Sequence, residues 1–272
     1  MSATQQARSS ASRAADSKPL EYLARGGFVM YGVIHLLFAW LALQVAFGSS
    51  AESDQSGALQ ELATKPFGKA LVVIAVIGMI ALAIWQAFEA AIGESGQQGK
   101  EAIAERVVSG ARAIIYLSFA WTGIKVLQGS NASTGDSQQK GASSLMDNSG
   151  GRWLVGFIGL VVIGVGIGLL VYGITKKFEQ KLNTQQMNAT VRKTTRRLGV
   201  AGYSAKGVAY AIAGGLIVAA AVTYDPEKAR GLDAALKLLV DQPFGPWLLA
   251  LVALGIACFG VYCFSQARYR KV

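Results

Sequence analysis

Six long apolar segments, separated by short polar stretches, dominate the pattern of hydrophobic and polar positions along the chain. A helix needs about 20 apolar residues to cross roughly 30 Å of hydrocarbon. Because a helix satisfies its own backbone polar groups, apolar segments of this length in lipid are helical. The pattern therefore predicts six transmembrane helices. Their predicted spans are 26–47, 70–88, 107–127, 153–175, 198–224 and 244–267.

The six segments form three copies of a two-helix repeat. Shifts of 81, 175 and 177 residues lay short similar stretches on one another at equivalent points of the odd or the even helices. The matched stretches are 38–40 and 119–121, 27–28 and 202–203, and 66–68 and 243–245. Self-similarity of this kind is typical of repeat architectures. The sequence thus predicts an all-α membrane protein of three tandem helix pairs around a pseudo-threefold axis.

The repeats also divide the chain into regions. Residues 1–22 are rich in Ser, Ala and Gln and lack periodicity, which predicts a disordered tail. The middle repeat is the most diverged, since its second helix keeps only 151–153 opposite 245–247. The predicted boundaries are 23–96 for the first repeat, 97–180 for the second and 181–272 for the third.

Charge supports the membrane interpretation and gives an orientation. Only 15% of the residues are charged, against about 25% in soluble domains. The tail, the second and fourth loops and the C-terminus carry 16 Lys and Arg residues, whereas the other side carries seven. Basic residues mark the cytoplasmic side, so both termini are expected in the cytoplasm. Because the net charge of +10 follows this alternation, no nucleic-acid partner is predicted.

Two stretches of the third repeat carry a family resemblance. The sequence Gly-Tyr-Ser-Ala-Lys-Gly-Val-Ala-Tyr at 202–210, followed by Gln-Pro-Phe-Gly-Pro-Trp-Leu-Leu at 242–249, resembles the bacterial, largely actinobacterial, triple-repeat family known as domain of unknown function 1206. The resemblance covers about residues 20–270 and implies three helix pairs in a bacterial inner membrane. It implies no activity. The first repeat departs from the family by having Tyr31 where a basic residue is usual.

The repeat alignment yields a candidate ligand site. Two layers of equivalent residues lie one turn apart on the first, third and fifth predicted helices. On each helix the two residues therefore share a face. The layers are Tyr31, Arg112 and Lys206, and then His35, Tyr116 and Tyr210. If these faces point inward, they form a ring suited to an anion, a lipid phosphate or a polar quinone-like head group. The alternative is that Arg112 and Lys206 snorkel to the nearby basic boundary.

Two further features of the even helices are candidates. Glu89 closes the second helix and is a possible ion-pair partner of Arg25, Arg112 or Lys206, or a proton relay. On the fourth helix, the Gly164-x-x-x-Gly168 spacing predicts tight helix packing within the bundle or self-association through that face.

Other chemistry is not indicated by the sequence. His35 is the single histidine, which excludes a bis-histidine haem, and the two cysteines, five residues apart on one helix, build neither a disulfide framework nor a zinc site. No nucleophile–base pair, paired carboxylate site or phosphate-binding loop is visible. We therefore expect no enzyme, no cofactor and no metal. Two functions stay open: an accessory or scaffolding component that binds lipid or a partner membrane protein, and a small transporter or channel for an anionic or amphipathic solute.

The orientation is testable with reporters that are active only outside the cell. Because of the bias in basic residues, we expect activity for fusions at positions 55, 140 and 230, and none at positions 185 and 272. Activity at the C-terminus would contradict both the topology and the number of spans.

Overall fold

A computed structural model describes residues 18–48, 55–92, 99–130, 133–148 and 150–271. Within these ranges the chain is almost entirely helical, with nine α-helices and no strand beyond one isolated bridge. The helices are α1 (Lys18–Ala46), α2 (Gln55–Thr64), α3 (Gly68–Ile92), α4 (Gly99–Leu127), α5 (Thr134–Met146), α6 (Gly151–Ile174), α7 (Ala189–Thr223), α8 (Leu232–Val240) and α9 (Gly245–Tyr269). Each repeat therefore consists of a long helix, a short helix and a second long helix.

The six long helices are long and apolar enough to cross a membrane, which confirms the six predicted spans. Helix α1 starts at Lys18, so the predicted tail is wrong for residues 18–22, while residues 1–17 lie outside the described part of the chain. Helix α7 starts nine residues before its predicted span. There the Asn188 side chain caps the helix by accepting from the Val191 amide at 2.8 Å. A helix that has already nucleated extends into water at little further cost.

The stretches interpreted as outer loops contain the short helices α2, α5 and α8. They lie on what we call the opposite face, whereas α1 begins and α9 ends on the terminal face. Leu59 of α2, Ala142 of α5 and Leu236 of α8 are buried against the long helices. Helices of this length are marginal alone and depend on such packing, which is why local sequence did not reveal them.

The three repeats share one turn geometry between the short helix and the long helix that follows it. The amides of Gly68, Gly151 and Gly245 donate to the carbonyl three residues earlier at 2.8, 3.0 and 2.7 Å. A Cβ at any of these glycines would lie within 1.9 Å of a carbonyl oxygen in the preceding short helix. In the first and third repeats, Phe67 and Phe244 just before the glycine adopt φ of 59° and 61°. The close approach explains the glycine at the end of the repeated Pro-Phe-Gly sequence.

The long helices pack as an open ring. Neighbouring contacts run in the order α6, α7, α9, α1, α3 and α4. This is the order that three helix pairs around a threefold axis would give. Among the described residues, however, α4 and α6 of the middle repeat have no extensive contact, and these are the two least buried spans. The ring is thus open between α4 and α6.

Glycines bring the two long helices together in the first and third repeats. A Cβ at Gly27 of α1 would lie 2.5 Å from the carbonyl oxygen of Gly78 in α3. In the third repeat, a Cβ at the equivalent Gly202 of α7 would lie 2.6 Å from the α9 backbone, and one at Gly255 of α9 would lie 2.3 Å from Ala205 of α7. These helix pairs therefore approach as closely as backbones allow.

The middle repeat lacks both glycines. With the offset of 81 residues, the repeat equivalent of Gly27 is Val108. When the three turn glycines are aligned, the equivalent of Gly78 and Gly255 is Val161. Both valines are exposed. Side chains at these two positions prevent the close crossing, which gives a physical reason for the opening.

The contact between α6 and α7 corrects the prediction made for Gly164 and Gly168. A Cβ at Gly159, Gly166 or Gly173 would lie 2.6–2.9 Å from atoms of α7, whereas a Cβ at Gly164 or Gly168 would meet nothing within 4 Å. Spacing of seven residues places the first three glycines on one face of α6. Tight packing within the bundle therefore uses that face, and the predicted pair points away from it.

We expect Gly166→Ala to destabilise the protein, because the added methyl would lie 2.6 Å from the Ala211 backbone nitrogen. Overpacking of this kind costs about 1–3 kcal/mol. Gly164→Ala, two residues away in open space, is the matched control and should leave the melting temperature in detergent unchanged or slightly raised. Equal melting temperatures for the two variants would contradict this account of the α6–α7 contact.

Candidate functional site

A cavity of about 410 Å³ lies in the half of the bundle nearer the terminal face. Helices α1, α4, α6, α7 and α9 all contribute to its lining, so it lies inside the open ring. Five of the six residues predicted to form the ring line this cavity: Tyr31, Arg112, Tyr116, Lys206 and Tyr210. The repeat alignment therefore identified side chains that the fold brings together.

His35, the sixth residue, lies behind the lining. Its Nδ1 donates to the Tyr31 carbonyl oxygen at 2.8 Å, so its Nε2 accepts a hydrogen bond from Lys206 Nζ at 3.3 Å. Lys206 also donates to the Tyr31 hydroxyl at 3.2 Å and lies 3.9 Å from the centre of the Phe259 ring. Neutral acceptors and an aromatic face therefore hold this ammonium group in place.

Three cations face the cavity, and the described residues that line it include no acid. Arg270 joins Arg112 and Lys206 in the lining. Arg112 Nη1 and Arg270 Nε are buried nitrogens that lack a hydrogen-bond partner in the structure. Leaving a charged donor buried and unsatisfied is costly. The cavity thus carries positive charge with unused donor capacity.

In the sequence, Arg270 contributes only to the bias in basic residues that predicts the orientation. It follows the end of α9, and its backbone pairs with Leu182 as an isolated antiparallel bridge. The side chain is 6% exposed, with its guanidinium 5.1 Å from the Phe28 ring centre and 4.7 Å from that of Trp85. No local pattern could have separated this arginine from its basic neighbours, since a long-range backbone contact positions it.

Two further phenols were also missed, although one had a signal. Tyr203 lines the cavity and is the repeat equivalent of Phe28, so extending the ring by one turn would have found it. Tyr172 packs edge-on against Tyr203, with 5.0 Å between the ring centres. The offset of the turn glycines makes Tyr172 equivalent to Glu89 and to Gln266. Tyr172 and Gln266 line the cavity, so two of these three equivalent positions form a further layer, on the second long helix of their repeats.

Glu89 does not serve as the counter-charge that the sequence suggested. Its carboxylate accepts hydrogen bonds from the Gln86 amide on α3 and from the Ser109 hydroxyl on α4, the latter at 3.2 Å. Glu89 is absent from the cavity lining, and no ion pair joins it to the described Arg112 or Lys206. Arg25 donates instead to the carbonyl oxygens of Ala267 and Arg268. Glu89 thus joins α3 to α4 rather than neutralising the cavity.

Residues 177–187, which we call the strap, cover the cavity on the terminal face. Phe178 is fully buried and stacks on Tyr203 at 5.5 Å, in space that a side chain at Gly199 would occupy. The strap is tied to the end of α9, where the Asn183 amide donates to the Tyr269 carbonyl at 2.7 Å. Buried apolar side chains and backbone pairing therefore hold the strap behind the cavity lining on this face.

The strap also reaches the far side of the opening. Lys181 Nζ lies 3.2 Å from the Glu105 carboxylate on α4, so this ion pair spans the terminal end of the gap between α4 and α6. Above it, exposed lining residues border the gap, including Ile115 on α4 and Val165 and Gly168 on α6. The cavity therefore opens sideways, toward the surface that faces lipid, while its terminal face is covered.

Comparisons with known proteins agree with the repeat. Residues 26–93, 107–176 and 201–270 each match the family described as Domain of Unknown Function (DUF1206). The chain is similar to the uncharacterized protein YxxB of Bacillus subtilis (strain 168), with 29% identity over 259 residues that cover 94% of each protein. No solved structure matches the chain significantly.

The strap should respond to acid through Glu179. Arg196 donates two hydrogen bonds to the Glu179 carboxylate and holds the pKa of that carboxyl below its usual value. A lowered pKa means that the ion pair stabilises the strap above about pH 4.3, the usual pKa of Glu, and that this contribution is lost as the pH falls through the lower folded pKa.

We therefore expect hydrogen-exchange protection of residues 177–187, corrected for intrinsic exchange, to fall below about pH 4. Glu179→Gln should reduce protection at neutral pH and remove most of this pH dependence. The same pH profile in wild type and variant would refute a role for the pair.

Proposed function

The chain belongs to the family described as Domain of Unknown Function (DUF1206), and from its cavity we propose a non-enzymatic accessory protein that binds an amphipathic anion taken from the bilayer. The observation that carries this proposal is the cluster of Arg112, Lys206 and Arg270 around a cavity whose described lining has no acid. Charges inside a membrane are expensive and usually mark a functional site. An anion that neutralises the three cations offsets this cost.

The shape of the cavity favours a lipid-like ligand over a small soluble anion. Its volume of about 410 Å³ is near the lower end for sites of organic ligands, about 300–1000 Å³. The aliphatic lining side chains, such as Val108 and Leu169, all lie on α4 and α6, the two helices that border the gap, whereas α1, α7 and α9 contribute aromatic, cationic and amide side chains. A head group at the cations with a hydrocarbon chain along the aliphatic border fits both parts.

The direction of access supports the same conclusion. A soluble anion would have to pass the strap, where Phe178 and Leu182 are buried. A lipid already lies beside the opening between α4 and α6. Under the positive-inside bias the terminal face is cytoplasmic, so the ligand would come from the inner leaflet of a bacterial plasma membrane.

Transport is the second candidate, and the packing of the opposite half argues against a continuous path. Beyond the cavity, that half is filled by buried apolar side chains, including Leu41, Leu59, Leu236 and Leu249. A solute crossing the bundle would need buried side chains of this half to separate. Binding without passage requires no such rearrangement.

The test is retention of anionic lipid after removal of two cations. Native mass spectrometry of detergent-purified protein supplied with dioleoyl phosphatidylglycerol should show a bound lipid in wild type and loss in Arg112→Gln/Lys206→Gln. Hydrogen bonds to charged groups contribute about 1.5–3 kcal/mol each, so we expect retention to fall by ~100-fold or more.

Lys125→Gln is the matched control, because Lys125 is also a lysine of a membrane span but lies over the Trp121 ring, away from the cavity. It should retain lipid like wild type. Equal retention in the double variant and wild type, with both folded, would reject the proposed function. Loss in the control as well would indicate surface attraction of lipid rather than a site.

A further inference from the structure

The side opening coincides with the loss of an aromatic pair that the other two repeats share. In the first repeat, Phe28 of α1 meets Trp85 of α3 edge-on, with ring centres 5.8 Å apart. In the third repeat, the equivalent Tyr203 of α7 meets Tyr262 of α9 in the same way at 5.6 Å. Trp85 and Tyr262 are both buried. Each aromatic pair thus fills the space between the two long helices of its repeat.

The middle repeat has Ser109 and Gly168 at these positions. The offset of 81 residues relates Ser109 to Phe28, and the offset of the turn glycines relates Gly168 to Trp85 and Tyr262. Ser109 is buried and donates to Glu89 on α3, so it does not reach α6. Gly168 lines the cavity, and a Cβ there would meet nothing within 4 Å. The space that the first and third repeats fill with rings is open in the middle repeat.

We propose that this opening is the lateral doorway of the site and that Gly168 leaves room in it for the hydrocarbon chain of a phospholipid. The proposal rests on the proposed function and adds the route, the ligand class and the residue that controls access. The phosphate would lie among Arg112, Lys206 and Arg270, and the chain would leave between α4 and α6 toward the bilayer.

The donors present favour a phosphate head group. The buried, unpartnered nitrogens of Arg112 and Arg270 belong to planar guanidinium groups, whose donor geometry matches phosphate oxygens. Arg270 is more than nine-tenths buried, lines the cavity, and keeps an Nε donor without a partner in the described part of the chain. A free phosphate would satisfy these donors too, but it has no hydrocarbon chain to occupy the apolar opening between α4 and α6.

The test fills the doorway. Gly168→Trp introduces the ring that Trp85 supplies in the first repeat, and Gly164→Trp is the matched control, one turn away in equally open space but outside the cavity lining. Both variants should melt near the wild-type temperature. Retention of dioleoyl phosphatidylglycerol in native mass spectra should fall by ~10-fold or more in Gly168→Trp only, a loss equal to about 1.4 kcal/mol.

The outcomes separate this inference from the proposed function. Wild-type retention in Gly168→Trp, or equal loss in both tryptophan variants, would overturn the doorway and leave the cationic site standing. No more lipid on wild type than on Arg112→Gln/Lys206→Gln would reject both. Displacement of the lipid by excess glycerol 3-phosphate would point to a soluble phosphate ligand and overturn the phospholipid. If Gly168→Trp does not accumulate, Ala111→Trp narrows the same opening from α4 and should give the same loss.

Discussion

How closely two helix backbones can approach is the constraint on which this bundle depends. Inside a bilayer, lipid tails are as apolar as leucine, so helices associate through van der Waals contact between small residues rather than through hydrophobic exclusion. Gly27 against Gly78 gives the first repeat that contact, and in the third repeat Gly202 lies against Phe259 and Gly255 against Ala205. Where valines replace such a pair in the middle repeat, the two helices separate. One missing contact among six therefore determines where the ring opens.

The cationic cavity depends on that opening and on the strap together. Three cations in a closed apolar bundle would be a large and unrelieved cost. Here Lys206 is held by Tyr31 and His35, while arginine donors stay unused. The strap positions Arg270 through the Leu182 bridge, and the gap leaves the side of the cavity open, where the proposed function places a neutralising lipid. The three cations, the strap and the gap between α4 and α6 are therefore parts of one arrangement.

Sequence reasoning predicted the repeated part of this architecture and missed the part that departs from it. The shifts that aligned Tyr31, Arg112 and Lys206 identified a shared layer because equivalent helices present equivalent faces. They could not identify Arg270, which a backbone bridge to Leu182 brings into the cavity. Nor could a helix pattern show the short helices, whose stability comes from packing. Spacing alone does not say which face of α6 meets a neighbour, so the Gly164-x-x-x-Gly168 pattern could not separate packing within the bundle from self-association.

Divergence between repeats was nevertheless the informative signal. The position held by Trp85 in the first repeat and by Tyr262 in the third is Gly168 in the middle repeat, which lacks a whole aromatic side chain there. In a well-packed core a deletion of that size leaves a cavity at a cost of about 3–5 kcal/mol. Facing lipid, the same deletion costs less, because hydrocarbon chains from the bilayer can occupy the space. A groove that lipid can fill is therefore a tolerable defect on the outside of a bundle, and its position beside three cations is what the proposed lipid site requires. The middle repeat thus lacks an aromatic pair that the other two keep, at a position that borders the cationic cavity.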